Sequence, residues 1–505
     1  MRVPSLANFK TLSWLPAGLL ESLLLLLVLA APVHCEPRSR RQLLATPWQC
    51  PSSAASSRSS RDRAFVALHS PASRQDVNVF QARKGWKAAE VDSALEAAQF
   101  DASKPTVVYT HGYTQTIQRP WLRSVRQNFD QLQSGDQPAQ FNLMLFDWSD
   151  YGQRAYGTSV SYVPYLGKLL AEFIDDHLSR RHNYSASRVH LVGYSLSAHI
   201  VGQTGRRLRA LKNPLGQITA LDPTGICFHT EAKFANEHQL RPDDAKLVVA
   251  RHYDMGGLGA RRPIGGVDIF VNGGSNQPSM GLRGPALGAF GLVAALGGAS
   301  SHMRATQHES SEPFQSDCQE LAYACSSYQA YLAGECADCG QSANKCYHLS
   351  TLANLQLGLD LSARNFKRGT KMYAATGPSQ FCQFTYQLVA KLSKRATKEE
   401  LRAVEEGALE LVLAESGSNE GDEAQAVRAN LHHKVAGNKF TQLLQLSRRP
   451  LELADEIRLG AGKKFGLKAL EWLQVNYMSA LTAQQRRRQS ARYCPRDNDS
   501  LVRCR

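Results

Sequence analysis

The residues best suited to do chemistry are a serine, an aspartate and a histidine, spread over about a hundred positions. A serine hydroxyl is a poor nucleophile unless a histidine takes its proton and an acid orients that histidine. Ser195 stands in Gly193-Tyr194-Ser195-Leu196-Ser197, close to the G-x-S-x-G string in which a sharp strand-to-helix turn exposes the hydroxyl. The last position departs from that string. Serine there adds a Cβ and a hydroxyl where the turn wants a small residue, and the hydroxyl is free to bond locally, so we expect it to be tolerated. Asp222 ends the run QITALD, and His302 in SSHMR follows a glycine-rich stretch. Taken singly, Asp222 reads as a turn residue before Pro223 and His302 as a surface histidine. Taken together and in this order, they are the parts of a nucleophilic acyl-transfer site. Such a site also needs two backbone N–H groups for the oxyanion, and Tyr113 (after THG at a strand end) and Leu196 are the candidates.

The elements around these residues must hold them at one edge of a sheet. TVVYTHG, LMLFDWS, RVHLVGYS and QITALDP are apolar, β-branched runs that end in turn residues. VPYLGKLLAEFIDDHL and LSAHIVGQTGRRLRAL carry apolar positions at helical spacing. Strands alternating with helices imply a mostly parallel sheet covered on both faces, with functional groups beyond the carboxyl ends of the strands. Near Cys382 the pattern changes to short alternating segments such as LELVLA, KFTQLLQL and VNYMSA, which predict a separate β-sandwich.

With 505 residues, two domains are expected. The expected division is a signal peptide over 1–35, a flexible leader and candidate propeptide over 36–63, an α/β domain over 64–382 and a β-sandwich over 383–505. The first segment has a charged start at Lys10 and an apolar run ending in small residues at Cys35, the pattern of a secretory signal. Arg38-Ser39-Arg40-Arg41 is a candidate processing site. No later run reaches the roughly 18 apolar residues of a membrane span. The chain is therefore expected to be secreted and extracellular. Its eleven cysteines suit an oxidising compartment, and make disulfides the better reading of Cys336-x-x-Cys339 than zinc or redox chemistry. Asn183 and Asn498 begin glycosylation sequons. A formal charge of +15 favours anionic partners. No nucleic-acid module is present, so no nucleic-acid role is expected. Arg486-Arg487-Arg488 with Arg492 offers a contact for heparan-like chains or an anionic membrane, against the plainer reading of solvated charge.

Several strings together resemble one family. YTHGYTQ resembles an oxyanion stretch, HLVGYSLSAHIVGQTGR an elbow and its helix, ITALDPTGICF the strand of the acid, SSHMRA the stretch of the histidine, and RGTKMYAATG the end of a catalytic domain. From about residue 64 onward, the chain resembles the pancreatic-lipase family of secreted neutral lipases and sn-1 phospholipases, including insect-type lipase-like members. The resemblance implies an α/β-hydrolase domain followed by a PLAT-like β-sandwich that seats the protein on lipid or a partner. It implies Ser195 as nucleophile, His302 as base and then acid, Asp222 as orienting acid, and Tyr113 and Leu196 as oxyanion amides. It also implies disulfides Cys325–Cys336, Cys339–Cys346 and Cys494–Cys504, leaving Cys50, Cys227, Cys318 and Cys382 unassigned.

The expected activity is cleavage of fatty-acyl esters of triacylglycerol, or of phospholipid at sn-1, at a lipid–water interface. The alternative is a weak or inactive lipid-binding protein of the yolk-storage kind. Such relatives usually lose a triad member, and all three stand here. Met280–Ser300 is long and apolar, as a lid should be, but lacks the two cysteines that close it in full lipases. The loop Gly256–Gly266 is short, a phospholipase-like trait, and carries Arg261 and Arg262, which could meet a phosphate. No cofactor is expected. The segment where the family places structural calcium reads Leu240-Arg241-Pro242-Asp243-Asp244-Ala245, with a cation in place of one carboxylate, so calcium is not expected and Arg241 is expected to neutralise Asp244. A homo-oligomer is compatible with the sequence.

Overall fold

A computed structural model describes most of the chain from residue 50 onward. Outside the described residues lie 1–49, 56–61, 82–84, 135–137, 230–231, 279–300, 312–319, 337–338, 340–344, 357–365, 379–380 and several stretches beyond 394, of which 403–408, 414–426, 447–455, 460–469, 479–489 and 496–499 are the longest. The expected signal peptide, the Arg41 site, the lid, Cys318, Arg486 to Arg488 and Asn498 therefore lie outside them.

Eleven strands build the first sheet. They are β1 (Phe65–His69), β2 (Asp76–Phe80), β3 (Thr106–Thr110), β4 (Asn142–Asp147), β5 (Val189–Tyr194), β6 (Gln217–Leu221), β7 (Leu247–His252), β8 (Val267–Val271), β9 (Leu321–Ala324), β10 (Cys346–His348) and β11 (Thr370–Ala374). Their order is β10-β9-β11-β8-β7-β6-β5-β3-β4-β1-β2. The seven strands from β4 to β11 in that order pair in parallel, and antiparallel strands close both edges. Strands β3, β5, β6, β7 and β8 are buried at every position, as a parallel sheet with two covered faces requires. On one face pack α1 (Ala88–Ala97), α3 (Val163–Glu172) and α4 (Ser197–Ala210), contributing Leu95, Leu166, Leu170, Ile200 and Leu208 to one core. On the other lies α2 (Pro120–Ser134), with Trp121, Leu122, Val125 and Phe129 in a second core. Residues 301–309 are helical and add Ala305 to that second core. This is an α/β-hydrolase sheet with helices on both sides.

After Ala374 a second, antiparallel sheet begins at Phe384, with nine strands among the described residues. Its first strand, Phe384–Leu392, alternates buried and partly buried residues from Tyr386 onward, and pairs with Lys439–Leu446 and Leu470–Tyr477. The end strand Val427–Leu431 comes back against Lys439–Leu446 near the other end, so the sheet folds over itself into the layered form of a sandwich. Met478 joins Phe270, Tyr323 and Tyr373 in one apolar cluster, and its carbonyl accepts from the Tyr323 hydroxyl, which ties the two sheets together.

Disulfides join Cys325 to Cys336, Cys339 to Cys346 and Cys494 to Cys504. Cys50 and Cys227, left unassigned by the sequence, are bonded to each other across 177 residues. Cys382 is also disulfide-bonded. The described part of the expected leader makes contacts with the rest of the chain. Besides the Cys50 bond, the Ala55 N–H donates to the Ser161 carbonyl at 3.0 Å and Asp62 meets Arg154 at 2.5 Å. Its low complexity concealed these anchors because each partner lies about a hundred positions or more downstream.

Candidate active site

The turn at Ser195 is steep because the chain reverses from β5 directly into α4. Ser195 adopts φ +58°, a left-handed conformation that costs a non-glycine residue roughly 1–2 kcal/mol. Three backbone hydrogen bonds hold it there: Ser195 N–H to the Leu221 carbonyl at 2.9 Å, and the N–H groups of Ala198 at 3.2 Å and Thr224 at 3.3 Å to the Ser195 carbonyl. Gly193 is needed because a Cβ there would lie 2.7 Å from the Ser197 carbonyl. The strain points the Ser195 hydroxyl at His302, with Oγ and Nε2 2.8 Å apart. On the far side of the ring, Nδ1 lies 2.6 Å from Asp222 Oδ2. Asp222 Oδ1 accepts from the N–H groups of Tyr253 at 2.7 Å and Asp254 at 3.1 Å, so the carboxylate is fixed at both oxygens. Asp222 is fully buried and His302 only 6% exposed. The three residues come from the ends of β5 and β6 and from the helix 301–309.

The expected oxyanion groups lie beside this chain of bonds. A Cβ added to Gly112 would sit 2.8 Å from the Tyr194 ring and 3.4 Å from Ser195 Cβ, so only glycine lets this backbone come so near Ser195. Among the described residues, neither the Tyr113 nor the Leu196 N–H has a protein acceptor. Buried His111 stacks on Trp148 with ring centroids 5.3 Å apart, and its Nε2 accepts from the Trp148 N–H at 3.3 Å. Nδ1 faces an acceptor and donates to the Gly112 carbonyl at 2.9 Å. That carbonyl and the Tyr113 N–H belong to one planar peptide, so gripping the oxygen aims the N–H the opposite way.

Two charged features escaped the sequence reading. Asp254 sits near Asp222 and His302, ligand atoms of all three lying within 4.8 Å of one another. Burial, reinforced by the Asp222 charge, pushes its carboxyl up to about 6. These three groups are the one cluster of metal-binding type among the described residues, but Asp222 and His302 already spend the facing atoms on each other. The available signal was RHYD: Asp254 stands two residues past β7, much as Asp222 stands one past β6.

The second feature is the cation at Asp244, which is Arg206 rather than Arg241. Arg206 Nε and Nη2 each lie 3.0 Å from the Asp244 carboxylate, Nη2 also donates to the Gln239 carbonyl at 2.8 Å, and Nη1 to that of Glu237. A guanidinium thus fills a cage of two carbonyls and a carboxylate. Arg241 turns its guanidinium to the Asn236 carbonyl, and only its backbone N–H reaches Asp244, at 2.8 Å. Arg206 was out of view because it lies on α4, far upstream of the segment.

Elsewhere, Arg261 and Arg262 are exposed on their loop, Arg492 stacks over Trp472, and Asn183 is exposed at a helix end. No helix among the described residues is long and apolar enough to cross a membrane.

Comparison with known proteins agrees with this geometry. A family model described as Lipase matches residues 57–376. Phospholipase A1 member A of Mus musculus is 34% identical over 251 residues, 50% of each chain. Lipoprotein lipase of Gallus gallus is 32% identical over 301 residues, 57% of this chain and 56% of that one. Inactive pancreatic lipase-related protein 1 of Mus musculus is 30% identical over 259 residues, 49% of this chain and 51% of that one. The chain spans about half the length of these curated relatives. The family match covers more than half of the chain, and on it and the strand-end motifs the protein belongs to the pancreatic-lipase family.

Proposed function

We propose that the protein is a serine ester hydrolase that releases fatty acids from lipids through an acyl-enzyme. One observation carries this reading: Ser195, His302 and Asp222 form a continuous hydrogen-bonded chain of 2.8 and 2.6 Å beside two backbone N–H groups that have no acceptor among the described residues. His302 Nε2 takes the Ser195 proton as Oγ attacks the ester carbonyl, while Asp222 holds Nδ1–H and faces the imidazolium that forms. The carbonyl oxygen, now an anion, falls between the N–H groups of Tyr113 and Leu196. His302 returns the proton to the departing alcohol, and water repeats the sequence to free the acid.

In this reading residues 383–505 are a PLAT-like domain that seats the enzyme on lipid, and the protein acts outside the cell. Residues 64–382 form the hydrolase domain, with the signal segment ending at residue 35. The disulfides, the sequons at Asn183 and Asn498 and the curated relatives support secretion. The test is fatty-acid release from triolein and phosphatidylcholine dispersions by the purified protein, beside Ser195→Ala. Release lost in the variant supports the hydrolase, and the ratio of substrates separates lipase from phospholipase. A folded, lipid-binding protein without release overturns it in favour of a non-catalytic kind, as the name of the inactive mouse relative describes that protein.

A further inference from the structure

The serine that breaks the elbow pattern is not idle. Ser197 is completely buried, and its hydroxyl lies 3.0 Å from the Thr110 carbonyl and 2.9 Å from that of Tyr194. These carbonyls belong to the two strands that feed the oxyanion site. Tyr194 ends β5 and leads through Ser195 to Leu196, while Thr110 ends β3 and leads through His111 and Gly112 to Tyr113. The parallel register of β3 with β5 ends at the pair Thr110 and Gly193. Beyond that pair the ladder offers no further bond between the two chains, yet there the two N–H groups must keep a fixed separation. One hydroxyl proton, shared between the two carbonyls, crosses this gap. A glycine in its place would supply no donor and would loosen the first turn of α4.

We infer that Ser197 is a positioning residue: its hydroxyl couples the nucleophile turn to the Gly112–Tyr113 strand end and so sets the spacing of the two oxyanion donors. This rests on Ser195 being the working nucleophile. The oxyanion exists only in the transition state, so a small displacement of a donor lowers kcat while leaving ground-state binding nearly untouched. Changing Ser197 to the glycine of the common pattern therefore slows the enzyme.

The experiment compares wild type, Ser197→Gly, Ser197→Ala and Ser195→Ala on a soluble p-nitrophenyl ester, with active sites titrated by an alkyl phosphonate and thermal midpoints recorded. A trifluoromethyl ketone, which forms an oxyanion adduct on the serine, reports the donors separately. Both Ser197 variants are expected to lose about tenfold in kcat, with KM within about twofold and the ketone Ki raised in step with the loss of kcat. A Ser197→Gly enzyme as fast as or faster than wild type overturns the inference. So does a lowered midpoint with unchanged kcat per titrated site, which reduces Ser197 to a structural residue. Wild-type turnover no greater than that of Ser195→Ala overturns the hydrolase reading itself, and the role of Ser197 with it.

Discussion

Replacing Glu309 by alanine is expected to destabilise the hydrolase domain more than any change at its surface. Glu309 closes the helix that carries His302 and is buried against Arg251, with Oε2 2.5 Å from Nη1. Its other oxygen accepts from the Tyr109 hydroxyl at 2.7 Å, and Arg251 donates onward to Thr351 at 3.1 Å. β3, β7 and the histidine helix thus meet at one ion pair with both side chains essentially out of solvent. Cutting away one member leaves a guanidinium in the core with its charge unanswered, at a cost of about 3–5 kcal/mol. For a domain of this size that corresponds to a drop of about 5–8 °C in the thermal midpoint. Removing both partners, as Arg251→Met with Glu309→Leu, leaves no stranded charge and recovers most of the loss, because a buried pair replaced by apolar side chains is often near neutral. The assay is thermal unfolding followed by near-ultraviolet circular dichroism for the wild type, both single variants and the double. A Glu309→Ala midpoint within about 1 °C of wild type, or a double variant as unstable as the worse single one, would refute the reasoning.

Asp254 gives a pH signature. Its carboxyl is raised by burial and by Asp222 to about 6, so the folded protein holds this proton more tightly than the unfolded chain does. Stability relative to Asp254→Asn therefore falls as pH rises from the ordinary carboxylate range through about 6 and is level above it; equal pH dependence of the two midpoints would contradict this. Arg206 already occupies the oxygen cage at Asp244, so excess EDTA should leave the thermal midpoint of the wild-type protein unchanged, and a fall would show a metal the fold depends on. Asn183 is exposed with Ser185 two residues on, so protein secreted from a eukaryotic host should lose one glycan on Asn183→Gln, read as faster gel migration; unchanged migration would remove it as an acceptor.

The meeting of Ser195, Asp222 and His302 was legible because each stands where a local string encodes its own turn: a strand, then Ser195 or Asp222, or a helix start at His302. The order of those strings along the chain is the order of their elements, so three local readings assembled into one site. Ser197 was legible as a departure whose hydroxyl would bond locally, as it does to Tyr194, but its second acceptor Thr110 was not, because it lies 87 positions upstream. The same reason hid Arg206 from Asp244 and Arg251 from Glu309: ion pairs between distant segments leave no periodicity. The contacts of the leader had no signal in the string, because serine-rich composition speaks for local chain preference and says nothing of a single cysteine with a remote partner. The second sheet was visible as alternation, while its strand order, which crosses back and forth among the nine strands, had no counterpart in the string.

The bond from Cys50 reaches Cys227, five residues past Asp222. A protease that nicks the chain between Pro51 and Phe65 therefore separates nothing: the cut piece stays moored to the loop behind the acid, and the break shows only once the sulfurs are reduced. Trimming at Arg41 falls outside this clasp and leaves it whole. In a fluid rich in proteases, that gives the molecule a form of wear resistance in which its front end survives being severed.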